Sequence, residues 1–261
     1  MKVLSWNIRQ GGGRRLDAIV EAIARHEPDV LVVNELRART APKLIAALRE
    51  TGLTFHEHTS PASSENGTLI AARVPLRRRR AGGPARAFRH GLLEVEMDGW
   101  ATVGAVYGPL RRPALRAFWG RLVGHATRRV KERYLLIGDF NAGESFVDAD
   151  AYKFVTSDYL ASIRAAGFVD LWRARNPKTE HTWFSFGRGG VPLNGFRIDH
   201  ALASTSLAND ATSCYYSHVE RETKLSDHSA LVVEFAAATG APASHGAYLI
   251  ERASTPGRTP S

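Results

Sequence analysis

The chain lacks several features that mark membrane, secreted or metal-cluster proteins. It has a single cysteine, Cys214, which excludes an intramolecular disulfide and a zinc cluster built on cysteines. Its longest apolar runs, such as residues 30–33, are far shorter than the ~18 residues that a membrane-spanning helix needs. No internal repeat is present, and residues 1–7 lack the long apolar stretch of a signal peptide. We therefore expect a protein of the cytoplasm that has no membrane span.

Lysine is also scarce, which affects how the positive charge is interpreted. The 261 residues carry 35 basic and 26 acidic side chains, a net charge of +9 and a pI near 10.0. Six of the basic residues are lysines and 29 are arginines, whose planar guanidinium matches phosphate bidentately. A polyanionic partner and an arginine-rich composition spread over the surface explain this excess equally well. The run from Arg77 to Arg80 follows Pro75 and is predicted to be a solvated turn.

Apolar periodicity predicts an alternation of strands and helices up to residue 238. Helices with one apolar face are expected at residues 14–26, from Thr40 onward, at 113–129 and at 157–167. Strands are expected at residues 2–9, 29–35, 67–73, 92–97, 101–107, 134–139, 181–186, 197–204, 213–219 and 229–235. This order indicates an α/β fold in which helices cover sheets. Residues 239–261, rich in Gly, Ala, Pro, Ser and Thr, are predicted to form a flexible tail.

The most informative stretch is residues 135–143, where an apolar strand ends at Gly138 and is followed by Asp139 and Asn141. Residues two apart on an extended backbone project to the same side. Both side chains can therefore point to one place beyond the strand end, where ligands bind in helix-covered sheets. A carboxylate that accepts a proton beside an amide that orients one is suited to activating water. Taken alone, the pair is more typical of an ordinary turn.

Polar residues recur at the tips of other predicted strands. They are Asn7, Glu35, Tyr107, Asn194, Asp199, Asp227 and His228. Each alone has an ordinary explanation as an exposed strand end, a turn residue or a satisfied histidine. Polar groups at the tips of buried strands are unfavourable unless they converge. Together the residues therefore predict one site.

Six motifs lie at these strand ends: Trp6-Asn7, the strand end at Glu35, Tyr107-Gly108-Pro109, Gly138-Asp139-Phe140-Asn141, Arg197-Ile198-Asp199 and Ser226-Asp227-His228. As a set they resemble the motifs of the endonuclease/exonuclease/phosphatase superfamily. The resemblance predicts one domain over residues 1–238. It implies a DNase I-like four-layer α/β sandwich, with two central mixed sheets flanked by helices, and metal-dependent hydrolysis of phosphoesters.

Residues 181–186 and 194–199 look most like the exonuclease III and abasic-site endonuclease branch of this family. In that branch, corresponding aromatic residues help to form the pocket for a flipped-out sugar. The resemblance therefore implies that Trp183, Asn194, Phe196 and Arg197 contact substrate. Two loops, residues 8–13 and 108–110, depart from the usual pattern of the branch. Both loops face the substrate in the family, so specificity for abasic sites stays open.

The resemblance and the chemistry of the side chains together indicate a divalent-metal site. Glu35 is the predicted metal ligand, with Asn7 nearby and water molecules completing the shell. Mg²⁺ suits this sparse oxygen coordination because it retains several waters, and Mn²⁺ is a feasible substitute. Asp227 either binds a second ion or positions His228.

The same reasoning assigns catalytic roles to five residues. Asp139 is the predicted general base, and Asn141 orients the attacking water or a phosphate oxygen. His228, held by Asp199 through its ring N–H, stabilises the charge that develops on phosphorus. Tyr107 donates a hydrogen bond to a phosphate oxygen.

Three functions fit this sequence. The first is a monomeric, Mg²⁺-dependent nuclease acting on DNA, supported by the motifs, by residues 194–199 and by the arginine excess. The second is a hydrolase of a small phosphoester, such as a lipid head group or a sugar phosphate. The third is a non-catalytic nucleic-acid-binding protein, which is disfavoured because no catalytic or metal-binding position is missing.

Overall fold

The computed structural model of the chain describes residues 1–59, 61–79, 91–110 and 112–236. These residues form two six-stranded mixed sheets and a separate two-stranded hairpin, with helices packed on the sheets. The predicted tail at residues 239–261 lies outside the described residues, as does the end of the domain predicted at 1–238. Both boundaries stay predictions.

The strands are β1 (Lys2–Asn7), β2 (Val30–Leu36), β3 (Phe55–His58), β4 (Gly67–Ala72), β5 (Arg77–Arg79), β6 (Leu92–Met97), β7 (Ala101–Tyr107), β8 (Tyr134–Asp139), β9 (Phe168–Asp170), β10 (Trp183–Phe186), β11 (Pro192–Phe196), β12 (Asp199–Ser204), β13 (Ala211–Ser217) and β14 (Ala230–Phe235). The α-helices are α1 (Leu16–His26), α2 (Ala41–Glu50), α3 (Arg112–Arg129), α4 (Ser157–Ala165), α5 (Thr205–Ala208) and α6 (Val219–Glu222). None of the described helices is both long enough and apolar enough to cross a membrane.

Each sheet contains one parallel pair of strands near its centre. The strand order is β13-β14-β1-β2-β4-β3 in the first sheet and β5-β6-β7-β8-β12-β9 in the second. β1 runs parallel to β2, and β7 runs parallel to β8, whereas the other described pairings are antiparallel. Parallel neighbours end at the same edge, so Asn7 lies beside Asn34 and Tyr107 beside Asp139.

Alternate residues of the central strands face two different apolar layers. Val3 of β1 and Ile137 of β8 belong to the core between the two sheets. Their neighbours point outward, Leu4 into the cluster under α1 and α2, and Leu136 into the cluster under α3 and α4. Strands that are apolar on both faces need cover on both faces. The result is the order helices–sheet–sheet–helices, which confirms the predicted four-layer α/β sandwich.

The differences from the predicted elements lie in short segments. β3, β5, β9 and β11 were not predicted, because three to five residues are too few to show a period. Arg77–Arg79 form edge strand β5 and not the predicted solvated turn, and Arg80 lies outside the described residues. Arg77 and Arg79 form ion pairs of 2.7 Å with Glu96 and Glu132. The predicted strand at 181–186 begins at Trp183 and pairs only with β11, which places this hairpin outside both sheets.

Candidate active site

The tips of the four central strands meet at one point. β1 ends at Asn7, β7 at Tyr107 and β8 at Asp139, and Glu35 is the next-to-last residue of β2. Asn7 Nδ2 donates to Asp139 Oδ2 at 2.9 Å and to Glu35 Oε1 at 3.3 Å. The Tyr107 hydroxyl donates to the same Glu35 oxygen at 3.2 Å. Four of the side chains predicted to converge are thus joined by a continuous set of hydrogen bonds.

Asn34 joins the two sheets behind this point and was not among the predicted site residues. Its side chain is fully buried. Its Oδ1 accepts a hydrogen bond from the Asp139 backbone N–H at 2.9 Å, and its Nδ2 donates to the Val106 carbonyl at 3.0 Å. Asn34 therefore fixes the tip of β8 against the tip of β2. An amide inside the apolar run of β2 was the signal in the sequence.

Gly138 gives the end of β8 a backbone conformation that a residue with a side chain could not adopt there. Its φ of 145° lies outside the range that L side chains adopt readily. A Cβ there would collide with the Val106 carbonyl oxygen. The glycine before Asp139 is thus required by the backbone, and its presence positions the carboxylate that follows.

Glu35 turns its carboxylate into the site by an unusual backbone conformation. It lies at a bulge in the pairing of β2 with β4 and has a φ of 61°. Its Oε2 accepts the Gln10 backbone N–H at 2.7 Å. A left-handed conformation at a non-glycine residue is often found at functional sites.

Asn7 is oriented as a hydrogen-bond donor and not as the oxygen ligand that was predicted. Its Oδ1 accepts the Arg9 backbone N–H at 2.9 Å, so its Nδ2 faces the carboxylates of Glu35 and Asp139. In this orientation the amide positions both carboxylates and offers no oxygen to a cation. Direct metal ligation by Asn7 would require the amide to turn, and it stays a prediction.

His228 and Asp199 form the predicted pair beside Asp139. His228 Nδ1 lies 2.9 Å from Asp199 Oδ2, and its Nε2 lies 3.9 Å from Asp139 Oδ2. The loop that carries His228 is bound to β1, because the Trp6 indole donates to the His228 carbonyl at 3.1 Å and Ser226 Oγ donates to the Asn7 carbonyl at 2.5 Å. The imidazole is therefore held between two aspartates.

The burial of this group changes the pKa values of its members. Burial raises the pKa of Asp139 to about 7, and Asp199 adds to this effect, while His228 opposes it. Burial disfavours charge on His228, but the carboxylates of Asp199 and Asp139 outweigh burial and raise the pKa of His228 to about 10. At neutral pH His228 is therefore a cation, and Asp139 holds its proton more tightly than an exposed aspartate does.

The side chains that meet at these strand tips are suited to hold a divalent cation. Ligand atoms of Asp139, Asp199 and His228 lie within 4.8 Å of one another. However, Asp199 and His228 are hydrogen-bonded to each other, which leaves them less suited to ligation. Glu35 is the better candidate oxygen donor, because it lines the open cavity at these strand tips beside Asp139. Carboxylate oxygens are the ligands that hard cations such as Mg²⁺ prefer.

Asn141 contacts Asp139 directly. Its backbone N–H donates to Asp139 Oδ1 at 2.9 Å, and its Nδ2 lies 3.4 Å from Asp139 Oδ2 while donating to the Gly108 carbonyl at 2.9 Å. Asn141 thus orients the carboxylate, and it lines the pocket that opens in front of the site. Whether it also orients water, as predicted, stays a prediction.

Tyr107 is held as a neutral donor. Burial, followed by the charge of Glu35, raises the pKa of its phenol above the usual range. Its hydroxyl accepts a hydrogen bond from Asn66 Nδ2 at 3.0 Å and donates to Glu35. Asn66 follows no strand and was not predicted.

Asp227 lies at the rim of the site. Its Oδ2 accepts the Trp183 indole N–H at 3.4 Å and lies 3.8 Å from Arg9 Nε. Asp227 and His228 both line the pocket. The contact with Trp183 connects the loop that carries Asp227 and His228 to the hairpin of β10 and β11.

A pocket of about 390 Å³ opens in front of these residues. Its polar side consists of Glu35, Tyr107, Asp139, Asn141, Asp227 and His228. Its apolar side includes Trp183 and Phe196, two of the four predicted substrate-binding residues. Their ring centroids lie 5.6 Å apart.

Arg197 and Asn194, the other two predicted substrate-binding residues, do not line the pocket. The Arg197 side chain is completely buried, where it forms 2.7 Å ion pairs with Asp148 and Asp170. The prediction that Arg197 contacts substrate is therefore wrong, because no part of its guanidinium is accessible. Asn194 Nδ2 donates to the Asp150 carbonyl at 3.0 Å.

Comparison with solved structures shows the same fold in a phosphatase, an endonuclease and an exonuclease. A 3′ phosphatase, NExo, from Neisseria bound to a product DNA hairpin is 22% identical, with a TM-score of 0.75 over 90% of this chain and 99% of that chain. An AP endonuclease from Archaeoglobus fulgidus is 19% identical, with a TM-score of 0.77 over 90% and 99%. The 3′-5′ exonuclease NExo from Neisseria meningitidis is 22% identical, with a TM-score of 0.74 over 90% and 100%. At these identities the likeness shows a shared fold.

Comparison of the sequence itself gives the family. No curated protein sequence matches the chain. The sequence model of one family, described as Endonuclease/Exonuclease/phosphatase, matches residues 4–228. This span runs from β1 to His228 and contains every strand tip of the site. The chain therefore belongs to the Endonuclease/Exonuclease/phosphatase family, as its motifs predicted.

Proposed function

We propose that this protein hydrolyses phosphodiester bonds in DNA with the help of a divalent cation, most suitably Mg²⁺. One observation carries the proposal. Asp139, a buried carboxylate with a pKa near neutrality, faces the His228–Asp199 pair and lies beside the Glu35 carboxylate in an open pocket. A base, a cationic stabiliser and a metal-binding carboxylate are the groups that phosphoester hydrolysis requires.

Each side chain has a defined part in this proposal. Asp139 accepts the proton of the attacking water, and a base is most effective when its pKa lies near the working pH. Asn7 and Asn141 hold the Asp139 carboxylate, each through a hydrogen bond of 2.9 Å. His228, kept protonated by Asp199, stabilises the negative charge that develops around phosphorus.

Glu35 is the proposed binding position of the cation. When bound there, the cation would neutralise phosphate charge as a Lewis acid. Mn²⁺ has the same preference for oxygen ligands and is expected to substitute. Tyr107, neutral and aligned by Asn66, is positioned to donate to a phosphate oxygen.

DNA is the proposed substrate because the solved structures of the same fold include a 3′ phosphatase bound to a product DNA hairpin, an AP endonuclease and a 3′-5′ exonuclease. The aromatic residues Trp183 and Phe196 beside Asp139 agree with a nucleotide ligand. We further expect a monomer and a location in the cytoplasm, both from the sequence alone.

A panel of substrates tests the proposal. Nicked, abasic, recessed-end and single-stranded DNA would be incubated with the protein in Mg²⁺, in Mn²⁺ and in EDTA. We expect cleavage of at least one DNA in Mg²⁺ and none in EDTA. The DNA proposal fails if every DNA stays intact while a small phosphoester is hydrolysed.

A small phosphoester is the second candidate substrate, and one observation favours it. No arginine or lysine lines the pocket within the described part of the chain, although polyanion binding generally uses such residues. Parallel assays with a sugar phosphate and a lipid head-group phosphodiester separate the two candidates. A purely binding role would appear as salt-dependent DNA binding, unchanged in Asp139→Asn, with no turnover on any substrate.

A further inference from the structure

The pocket has an apolar side that the catalytic groups do not use. It includes residues from the segment after β8, which we call the apolar wall: Tyr152, Phe154 and Val155. Tyr152 is 45% exposed and Val155 is 66% exposed. Exposed apolar side chains grouped beside a catalytic centre mark a binding surface.

Tyr152 extends the aromatic lining that starts at Trp183. Its ring meets Phe154 and Phe196 edge to face, with centroid distances of 4.9 and 5.1 Å. Edge-to-face contacts are a favoured geometry for aromatic pairs. Tyr152 is thus fixed by two neighbours while nearly half of its surface remains accessible.

The segment that carries the apolar wall is anchored by Arg197 and Ser145, which do not line the pocket. The Arg197 backbone N–H donates to the Asp148 carbonyl at 2.7 Å, and its guanidinium binds the Asp148 carboxylate. Ser145 Oγ accepts the Phe154 backbone N–H at 3.0 Å. The wall is therefore pre-organised, which lowers the entropy lost when a ligand contacts it.

We propose that the apolar wall stacks against the base of the nucleotide whose phosphate is cleaved, so that the site prefers a base-bearing nucleotide to a bare sugar. This inference rests on the proposed function. The cavity of 390 Å³ lies in the range of roughly 300–1,000 Å³ that holds drug-sized ligands, a class that includes a nucleoside. Every base offers a π face to an aromatic side chain. The pocket side chains in the described residues include no lysine or arginine that would prefer a second phosphate to a base.

Two matched substrates test the inference. They share one sequence and differ at the nucleotide next to the cleaved phosphate, which carries 2-aminopurine in one and tetrahydrofuran, without a base, in the other. Tyr152→Ala should lower kcat/KM on the 2-aminopurine substrate by roughly 5- to 100-fold. On the tetrahydrofuran substrate it should change kcat/KM by less than about threefold, as expected of a surface substitution.

A binding measurement separates stacking from catalysis. In EDTA, where no cleavage is expected, the wild-type protein should quench 2-aminopurine fluorescence, and Tyr152→Ala should quench it less. Tyr152→Phe keeps the ring and should retain both the quenching and the turnover. Tyr215→Ala is the matched control, because Tyr215 is 42% exposed on β13 and does not line the pocket.

The outcomes distinguish this inference from the proposed function. Equal losses on both substrates, no loss on either, or a wild-type preference for tetrahydrofuran would refute base stacking and leave the hydrolase intact. Such results would also fit an apolar wall that serves another ligand, such as a lipid. If the wild-type protein cleaves no DNA at all, the DNA proposal itself fails and the inference fails with it.

Discussion

Replacement of Asp139 by asparagine is the most direct test of the site. The substitution keeps the shape of the side chain but removes the group that accepts a proton. Asn7 Nδ2 and the Asn141 N–H each donate to this carboxylate at 2.9 Å. An amide has only one oxygen, so it accepts one of these bonds well and turns its own NH₂ toward the other donor. We therefore expect the loss of a general base, with a small rearrangement around it.

The expected size of the effect follows from the role of a base. General-base catalysis contributes about 10²–10⁴-fold, which corresponds to roughly 3–5 kcal/mol in the activation barrier. Single-turnover kinetics in Mg²⁺ on the best DNA of the panel should show this loss in kcat, with substrate affinity nearly unchanged. Asp98→Asn, an exposed residue between β6 and β7, is the matched control. A loss below about tenfold in Asp139→Asn would place the base elsewhere.

The pH profile gives an independent measure of the same role. Asp139 acts only when deprotonated, and its pKa in the metal-free site is raised to about 7, so activity should fall as the pH drops below this value. A bound cation favours the carboxylate and should move this limb to lower pH. His228 acts only when protonated, so activity should fall again above a pH of about 10. In Asp139→Asn the acid limb should disappear, and its persistence would contradict the assignment.

Three other variants test side chains that hold the site in place or form part of it. Arg197→Met removes one ion-pair partner from each of two buried aspartates, Asp148 and Asp170, so urea denaturation should show a loss of about 3–5 kcal/mol in the free energy of unfolding. A loss below about 1 kcal/mol would mean that the network contributes little. Asn34→Ala removes the side chain that pairs with the Asp139 backbone N–H and the Val106 carbonyl. The same assay should show a loss of about 2–5 kcal/mol in the free energy of unfolding, and unchanged stability would show that water replaces the amide. Tyr107→Phe should lower kcat by roughly tenfold or more, because a hydrogen bond to a charged group is lost, and unchanged kcat would remove the hydroxyl from catalysis.

The layers of the fold could be predicted because the central strands are apolar on both faces. Such strands require cover on two sides, and the intervening helical patterns supply it. The position of the hairpin of β10 and β11 could not be predicted, since a short alternating strand gives no information about its partner. The edge strand at Arg77–Arg79 was missed for a related reason. Its partner Glu96 lies in another strand, and pairing at that distance in sequence leaves no local pattern.

The site could be predicted only where polar residues interrupt apolar strands. Asp139, Glu35 and Tyr107 stand at such interruptions, and the structure brings them together. Arg197 was misplaced because it lies between two residues that face the pocket, Phe196 and Ile198. Alternation along an extended chain turns the middle residue to the opposite side. The apolar wall has neither periodicity nor polar tips, so only the folded chain reveals it.

The arginine excess is a weaker argument for DNA than the composition suggests. Arg197 and Arg173 both bind the buried Asp148 carboxylate, so these charges serve the fold. Arg77, Arg78 and Arg79 of the edge strand β5 form ion pairs with Glu96, Glu57 and Glu132. A guanidinium held by a carboxylate is a poorer partner for phosphate than a free one, because a bond must break before another forms. The case for a nucleotide substrate therefore rests on the aromatic residues beside Asp139 more than on net charge.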